Sequence, residues 1–398
     1  MYRKVNLMTY DFDTPVDRRG TFCEKWDIKE NELPMWVADM DFKTAPEITN
    51  AVIKRAEHGI FGYTGVPDEW YDAYITHWRC RHNVTLKREG LVYSAGVVPT
   101  ISSAVRKLTT AGENVVLMTP VYNIFYNSVQ NNGRNVLESP LVYDGERYHI
   151  DFDDLESKLK MGQTTMLLLC NPQNPAGIIW SREELARIGE LAYDNGVIIV
   201  CDEVHCDLTY PGKEYIPFVS VSEKCRQCSI TCIAPTKAFN IAGIQTSAAY
   251  SENPVLRHKI WRAVNTDEVG EPNAFAINAT IAAFSEGTAW LDALREYIYK
   301  NAAKVSDFLK AELPKVKLYP SEATYLLWLD VSEYGVPSKR LAAFIRKESG
   351  LFLSHGELYG GTGRDFLRMN IACPSAYVDD GLARLKRSLD KLDSQAFS

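Results

Sequence analysis

Residues 234–243 read APTKAFNIAG and place a single lysine, Lys237, between a hydroxyl residue and a glycine at the end of a predicted strand. A lysine at a strand exit can be partly desolvated, and a desolvated amine is nucleophilic enough to condense with an aldehyde. Taken alone, the stretch is weak evidence for a reactive lysine, because lysines beside threonine are common and usually solvated. Lys237 is therefore a Schiff-base candidate whose weight depends on the rest of the chain.

Two upstream segments share the layout of a short apolar strand that runs into polar residues. Residues 166–170 (MLLLC) lead into NPQNPAG at 171–177, and residues 197–201 (VIIVC) lead into DEVH at 202–205. Such runs are typical of strands buried on both faces of a parallel sheet, and ligands bind beyond the carboxyl ends of these strands. We therefore expect Asn174, Asp202 and Lys237 to converge on one crevice.

These three residue types match what pyridoxal 5'-phosphate (PLP) requires of a protein. The lysine forms a Schiff base with the cofactor, an aspartate keeps the pyridine nitrogen protonated, and an asparagine amide donates to the phenolic oxygen O3'. Considered alone, Asp202 could equally be a helix cap or a magnesium ligand. The combination predicts a PLP site.

Further motifs run along nearly the whole chain. They are WVADMDF at 36–42, FGYTG at 61–65, SAGVVP at 94–99, PVYNIF at 120–125 and FLRMNIACP at 366–374. With NPQNPAG, DEVHCDL and PTKAFNIAG, they resemble the fold-type I PLP enzymes of the class I and II aminotransferase superfamily. Within it, the chain is most similar to the MalY/PatB group of cystathionine β-lyases, also called carbon–sulfur lyases.

The resemblance implies an α/β fold of the PLP-dependent transferase type. A large domain would hold a mostly parallel sheet between helices, and a smaller α/β domain would complete the chain. We expect the large, PLP-binding domain at residues 46–270, and the small domain at residues 1–45 and 271–398. A long alanine-rich stretch at 274–313, with helical spacing broken at 285–287, should link them.

The resemblance also assigns roles around the cofactor ring. Lys237 would be the Schiff-base lysine and later the general base, and Asp202 the partner of the pyridinium. Asn174 would donate to O3'. Tyr122 would lie on the ring face, where offset stacking is favourable, although a half-buried aromatic after a strand is the alternative reading.

The phosphate end of the cofactor is expected at residues 94–99. A helix is predicted from Thr100 to Leu108, and the free backbone amides of a helix start favour an anion. Gly96, Val97 and Val98 are therefore expected to cradle the phosphate, with the hydroxyl of Thr236 beside them. Without the resemblance this segment would be read as an ordinary helix N-terminus.

Two positions depart from the pattern of many aminotransferases. The arginine expected eight residues after the lysine is Gln245, and the tyrosine expected three residues after the aspartate is His205. The helix start, Thr236 and Tyr63 of a partner chain would then hold the phosphate. His205 suits the lyase group as a cofactor neighbour, but a structural histidine is an equally open reading.

The substrate end is expected at Arg368. A planar guanidinium binds a carboxylate bidentately, and Arg368 would grip the substrate α-carboxylate, although a surface arginine on a strand is the rival reading. Trp36 would lie near the substrate. Tyr63 would cross into the neighbouring subunit's site, so we expect a homodimer.

The predicted activity is PLP-dependent β-elimination of L-cystathionine or related L-cysteine S-conjugates. The products would be a thiol (homocysteine from cystathionine), pyruvate and ammonia. The alternative is an aminotransferase of the same fold, which would need a 2-oxo acid acceptor. A catalytically idle regulator is less favoured because Lys237 and Asp202 are both present. No metal is predicted, since the seven histidines are scattered and none has HExxH spacing.

Composition excludes several other classes of protein. The net charge is −7 and the pI about 5.6, which argues against nucleic acid as a partner. The first residues have no apolar signal core and no run of 18 apolar residues occurs, so no membrane association is expected. The nine cysteines include only one CxxC, at 225–228, and suit a reducing compartment. We therefore expect a cytoplasmic enzyme.

Overall fold

The structure, a computed structural model, describes residues 10–396. The strands of this part are β1 Leu33–Pro34, β2 Leu91–Ser94, β3 Asn114–Thr119, β4 Asn135–Pro140, β5 Val142–Tyr143, β6 Tyr148–His149, β7 Thr164–Cys170, β8 Ile198–Asp202, β9 Ser229–Ile233, β10 Ser247–Tyr250, β11 Lys317–Leu318, β12 Leu326–Asp330, β13 Leu351–Phe352, β14 Ser354–His355 and β15 Phe366–Asn370.

The α-helices of the same part alternate with the strands over most of the chain. They are α1 Pro46–Glu57, α2 Asp68–His82, α3 Val97–Leu108, α4 Ile124–Gln130, α5 Phe152–Leu159, α6 Arg182–Asp194, α7 Glu223–Cys228, α8 Pro254–Thr266, α9 Ala276–Glu286, α10 Thr288–Glu312, α11 Ser338–Ser349 and α12 Ser375–Ala396.

A seven-stranded sheet in the order β2-β10-β9-β8-β7-β3-β4 forms the centre of the fold. Strands β9, β8, β7, β3 and β4 run parallel, and β10 runs antiparallel to both of its neighbours. Along β7, Met166 and Leu168 face one hydrophobic cluster while Leu167 and Leu169 face the other. Burial on both faces explains why these strands are apolar without alternation.

Helices cover both faces of this sheet. Side chains of α3, α4 and α8 fill the cluster on one face, and those of α5, α6 and α7 fill the cluster on the other. Local signals fix where the helices begin: Ser181 and Glu184 form a capping box at the start of α6. The predicted α/β class is confirmed.

A second, four-stranded antiparallel sheet has the order β11-β12-β15-β14. Helix α12 packs against both α10 and α11 beside it. The N-terminal segment joins this part of the molecule, because β1 pairs in parallel with β13. The predicted domain boundaries, after residue 45 and after residue 270, stay a prediction.

The observed elements differ from the predicted ones at a few ends. Helix α3 begins at Val97, three residues before the predicted Thr100, because Pro99 is tolerated in a first helical turn. The predicted break in the long helical stretch is found at Gly287, where a Cβ atom would lie 2.7 Å from the carbonyl oxygen of Ala283. Among residues 10–396, no helix is both long enough and apolar enough to cross a bilayer.

Candidate active site

Three neighbouring parallel strands end at the same edge of the large sheet and carry the residues singled out from the sequence. Asp202 is the last residue of β8, Asn174 follows β7 by four residues, and Lys237 follows β9 by four residues. Asn174 and Asp202 are buried and Lys237 is half-buried. The structure thus brings all three to one edge, the location at which parallel sheets bind ligands.

The Asp202 carboxyl group lies in an environment that opposes its ionisation. Burial raises its pKa to about 6, although the Val204 amide and the charge of Lys237 act in the opposite direction. The Val204 N–H donates to Oδ1 at 3.1 Å. A buried carboxylate of this kind gains most from a cationic partner that shares its cavity.

The amine of Lys237 donates a hydrogen bond to the backbone carbonyl of Ala38 at 2.7 Å. Burial lowers its pKa; the carboxylates of Asp39 and Asp202 counter this shift, and Arg368 adds to it. A lowered pKa increases the fraction of neutral, nucleophilic amine near neutral pH.

The guanidinium of Arg368, on β15, is held on several sides. One nitrogen, Nη1, donates to Asn174 Oδ1 at 3.1 Å, and Nη2 donates to the carbonyl of Trp36 at 2.8 Å. The Cζ atom lies 4.9 Å from the ring centroid of Tyr359, a cation–π contact. Within residues 10–396, Nε is buried without a hydrogen-bond partner, so the group keeps donor capacity for an anion.

The N-terminal segment 36–42 lies across this cluster and contributes mainly through its backbone. The carbonyl of Ala38 also accepts from Tyr325 Oη at 3.1 Å. The Asn240 side chain accepts from Met40 N at 3.0 Å and donates to the carbonyls of Met40 and Phe42 at 3.0 and 2.9 Å. These bonds fix the segment beside Lys237.

Trp36 lies at the Arg368 side of the cluster. Its ring stacks on Phe352 with centroids 4.9 Å apart, and it is half-buried. The carbonyl of Trp36, rather than its ring, is the group that meets Arg368. The sequence pointed to the aromatic side chain, and the backbone contact was not predictable from residue types.

His205 and Tyr122 are both next to charged members of the cluster. Burial lowers the pKa of His205 to about 3, with the charges of Lys237 and Arg368 adding to the shift, so its imidazole is neutral at neutral pH. Its Nδ1 is buried and has no partner among the described residues. Burial, with the charge of Asp202, raises the pKa of Tyr122 to about 12, so its hydroxyl stays protonated.

The start of helix α3 offers backbone donors. Gly96 precedes the helix and makes no side-chain cap, and Val97 and Val98 are the first two helical residues. Their N–H groups have no acceptor within the helix, as is general for a first turn. Thr236 is half-buried directly before Lys237. The start of α3 follows β2 and Thr236 follows β9, and both strands belong to the seven-stranded sheet.

Tyr63 lies outside this cluster. It is 102% exposed on the surface of the chain, beside Phe61 at 57% and Ile60 at 67%. Phe61 and Tyr63 line a surface depression. Gln245, the residue that stands where many aminotransferases have arginine, lines the same depression.

Three residues of the cluster were missed by sequence reasoning: Asn240, Tyr325 and Tyr359. Asn240 lies within the APTKAFNIAG stretch, and a polar residue between Phe239 and Ile241 was a usable signal. Tyr325 and Tyr359 reach the site from distant segments and carry no spacing that marks them.

The chain is similar to known proteins along nearly its whole length. Residues 31–385 match the family described as aminotransferase class I and II. Cystathionine beta-lyase PatB of Bacillus subtilis is 43% identical over 95% of this chain and 100% of that protein. The chain belongs to the class I and II aminotransferase family. Protein MalY of Escherichia coli is 32% identical over 94% of this chain and 98% of its own length, which confirms the predicted MalY/PatB group.

A solved structure shares the fold of this chain. The crystal structure of cystalysin from Treponema denticola, which contains a pyridoxal 5'-phosphate cofactor, superposes with a TM-score of 0.93. It is 32% identical and covers 97% of this chain and 100% of that one. The prediction of a fold-type I PLP-dependent transferase fold is confirmed.

Proposed function

We propose that this aminotransferase-family protein is a PLP-dependent carbon–sulfur lyase that acts on L-cystathionine or a related L-cysteine S-conjugate. The products are a thiol, pyruvate and ammonia. The observation that carries the proposal is the placement of Asn174, Asp202 and Lys237 at one sheet edge in a chain 43% identical to a cystathionine β-lyase.

The residues present fit PLP. Asp202 has a pKa raised by burial, and a pyridinium nitrogen is the cationic partner that such a carboxylate lacks. The backbone amides of Gly96, Val97 and Val98 at the start of α3, together with the Thr236 hydroxyl, suit a phosphate. Asn174 and His205 would meet the ring's oxygen substituent, and Tyr122 the ring face.

PLP, when bound, supplies an electron sink that stabilises negative charge at the substrate Cα. Asp202 would maintain this property, because its carboxylate would keep the ring nitrogen protonated. Lys237 would hold the cofactor through Nζ in the resting enzyme. Its freed Nζ would take up the substrate Cα proton as general base, a role worth roughly 10²–10⁴ in rate.

Arg368 orients the substrate for this proton transfer. Its guanidinium is fixed by Asn174, by the Trp36 carbonyl and by the Tyr359 ring, and a carboxylate bound there sets the direction of the Cα–H bond. The Cβ–S bond then breaks and the electron pair leaves with sulfur. The remaining three-carbon unit takes up water to give pyruvate and ammonia.

Elimination, rather than amino-group transfer, is supported by the relatives and by two residues. PatB is named as a cystathionine β-lyase. Gln245 and His205 replace the arginine and tyrosine that many aminotransferases carry, and the neutral imidazole of His205 presents a different partner to the cofactor ring.

We further propose that the active unit is a homodimer in a reducing, cytoplasmic compartment. The exposed apolar group Ile60, Phe61 and Tyr63 suits burial against a second copy, in which Tyr63 would approach the partner's cofactor phosphate. All nine cysteines are free thiols, as a reducing compartment favours.

The test is to incubate PLP-loaded protein with L-cystathionine in the absence of any 2-oxo acid and to measure pyruvate and free thiol. Equal amounts of both, abolished in Lys237→Ala, are expected. Lys259→Ala, at an exposed position of α8, is the matched control and should retain activity. No pyruvate, but amino-group transfer once 2-oxo acids are supplied, would instead establish an aminotransferase. No turnover in either assay would favour an idle regulator.

A further inference from the structure

A second cluster of chemically active side chains lies apart from the residues assigned to PLP and substrate. Its members are His77 and His82, near the end of α2, and Asp207, in the segment that follows β8. His77 Nε2 lies 3.0 Å from both carboxylate oxygens of Asp207, and His82 Nε2 lies 3.0 Å from Oδ1. Both imidazoles thus present the same ring nitrogen to one carboxylate.

The ligand atoms of this cluster match those preferred by zinc-class ions. Two imidazole nitrogens and one carboxylate oxygen lie within 4.8 Å of one another. Bonds of about 2.0–2.2 Å to a tetrahedral ion would separate the ligand atoms by roughly 3.3–3.6 Å. The observed 3.0 Å nitrogen–oxygen separations need to open by only a few tenths of an ångström, and the two imidazole nitrogens, which lie within 4.8 Å of each other, need to adopt the same spacing.

The cluster is preorganised by burial and remains accessible on one side. His77 is 4% exposed and Asp207 2% exposed, whereas His82 is half-buried. A cavity of about 1010 Å³ reaches all three residues. An ion could enter from this cavity and keep its fourth coordination position directed toward it, as open zinc sites do.

Arg81 is the natural competitor for such an ion. Its Nε lies 3.2 Å from Asp207 Oδ1 and its Nη2 lies 2.7 Å from Asp292. The Arg81 guanidinium already balances the negative charge of Asp207. A metal ion would therefore displace the protons on the two Nε2 atoms, and would not be needed to neutralise an unpaired carboxylate. Asp207 Oδ2 lies within hydrogen-bond distance of His77, and Arg81 approaches the other oxygen.

We propose that His77, His82 and Asp207 form a binding site for a divalent transition-metal ion of the zinc class. The site is not part of the lyase machinery. Asp207 belongs to the turn segment that begins with Asp202. Within this segment Cys206 N donates to Glu203 O at 3.0 Å, and Leu208 N donates to His205 O at 2.9 Å. A bound ion ties this segment to the end of α2.

Sequence spacing gave no indication of this site. His77 and His82 are five residues apart, and Asp207 is distant in the chain, so no compact motif of the HExxH kind exists. The fold alone brings the three together.

The experiment uses tag-free, PLP-loaded protein treated with a chelator and then titrated with Co²⁺ and with Zn²⁺. We expect one tightly bound ion per chain, cobalt absorption typical of nitrogen and oxygen ligands, and a higher melting temperature with Zn²⁺. His77→Gln and His82→Gln keep an N–H donor for Asp207 but should each weaken binding by at least about tenfold.

Two control variants separate this site from incidental binding. His258→Gln changes an exposed histidine of α8, and Cys80→Ser removes a thiol that lines the same cavity. Both should bind the ion as the unmodified chain does. The proposal is overturned if the unmodified chain binds no ion, if binding survives both His77→Gln and His82→Gln, or if it is lost only with Cys80. His82 is half-buried at a helix end, so His82→Gln should fold even if His77→Gln does not.

Discussion

At the scale of single residues, Asp202 is a position where the proposed function opposes stability. Its pKa is about 6 in the folded chain against 3.8 ordinarily, chiefly because of burial. A raised pKa means that folding favours the protonated form. The contribution of Asp202 to the stability of the folded apoprotein is therefore most favourable below about pH 4. This contribution is lost as the pH rises through about 6, because the carboxyl group must then ionise while buried.

Asp202→Asn should therefore stabilise the apoprotein while abolishing lyase activity. The gain at pH 7 is at most about 3 kcal/mol, since one pKa unit corresponds to about 1.4 kcal/mol. We expect a higher melting temperature for the PLP-free variant at pH 7, and a difference that shrinks at pH 5. Asp72→Asn, at an exposed position, is the control. A lower melting temperature for Asp202→Asn at pH 7 would contradict this electrostatic account.

Arg368 depends on its planar fork rather than on its charge alone. Arg368→Lys keeps the charge but loses bidentate binding and the contact with Asn174. We expect KM for L-cystathionine to rise roughly 10- to 100-fold, as the loss of about 1.5–3 kcal/mol of charged hydrogen bonding implies. The exposed Arg364→Lys should leave KM unchanged. Equal KM values for the two variants would remove Arg368 from the substrate site.

At the scale of elements, the sequence predicted the strands of the large sheet and their polar exits well. The apolar run at 166–170 lies within β7, and the run at 197–201 matches β8 to within one residue at each end. Strands buried on both faces leave a strong apolar signal, which explains this success. The start of α3 was misplaced, because a proline near a helix start is compatible with either side of the boundary.

The segment 36–42 is an element held by a few polar bonds, and Asn240 makes three of them. Asn240→Ala should loosen this segment, since the Met40 and Phe42 backbone groups lose their partners. We expect faster limited proteolysis within residues 36–42 and a several-fold higher KM, with Asn265→Ala, an exposed change on α8, as control. Unchanged protease protection would show that other contacts suffice.

At the scale of the whole molecule, the dimer proposal makes a complementation prediction. Tyr63 and Lys237 would meet in one site but come from different chains. Tyr63→Ala and Lys237→Ala should each lose most activity alone. When the two are co-expressed, a hybrid dimer has one intact site, and random pairing restores about a quarter of the wild-type sites. Pyruvate release measures this recovery, and its absence in demonstrably mixed dimers would mean that Tyr63 serves its own chain or neither.

The candidate site was predictable where chemistry follows a strand and unpredictable where the fold brings distant segments together. Lys237, Asp202 and Asn174 lie directly after apolar runs, so their convergence follows from parallel-sheet geometry. Tyr325 donates to the Ala38 carbonyl across 287 residues of sequence, and that carbonyl, which also accepts from Lys237, has no side-chain signature.

The central claim is that Lys237 carries the cofactor, and the most direct measurement is to reduce the PLP-loaded protein with sodium borohydride and map the modified peptide by mass spectrometry. We predict one pyridoxyl group per chain, on Lys237 within APTKAFNIAG. A pyridoxyl group on another lysine, or none at all in protein that binds PLP, would contradict the account.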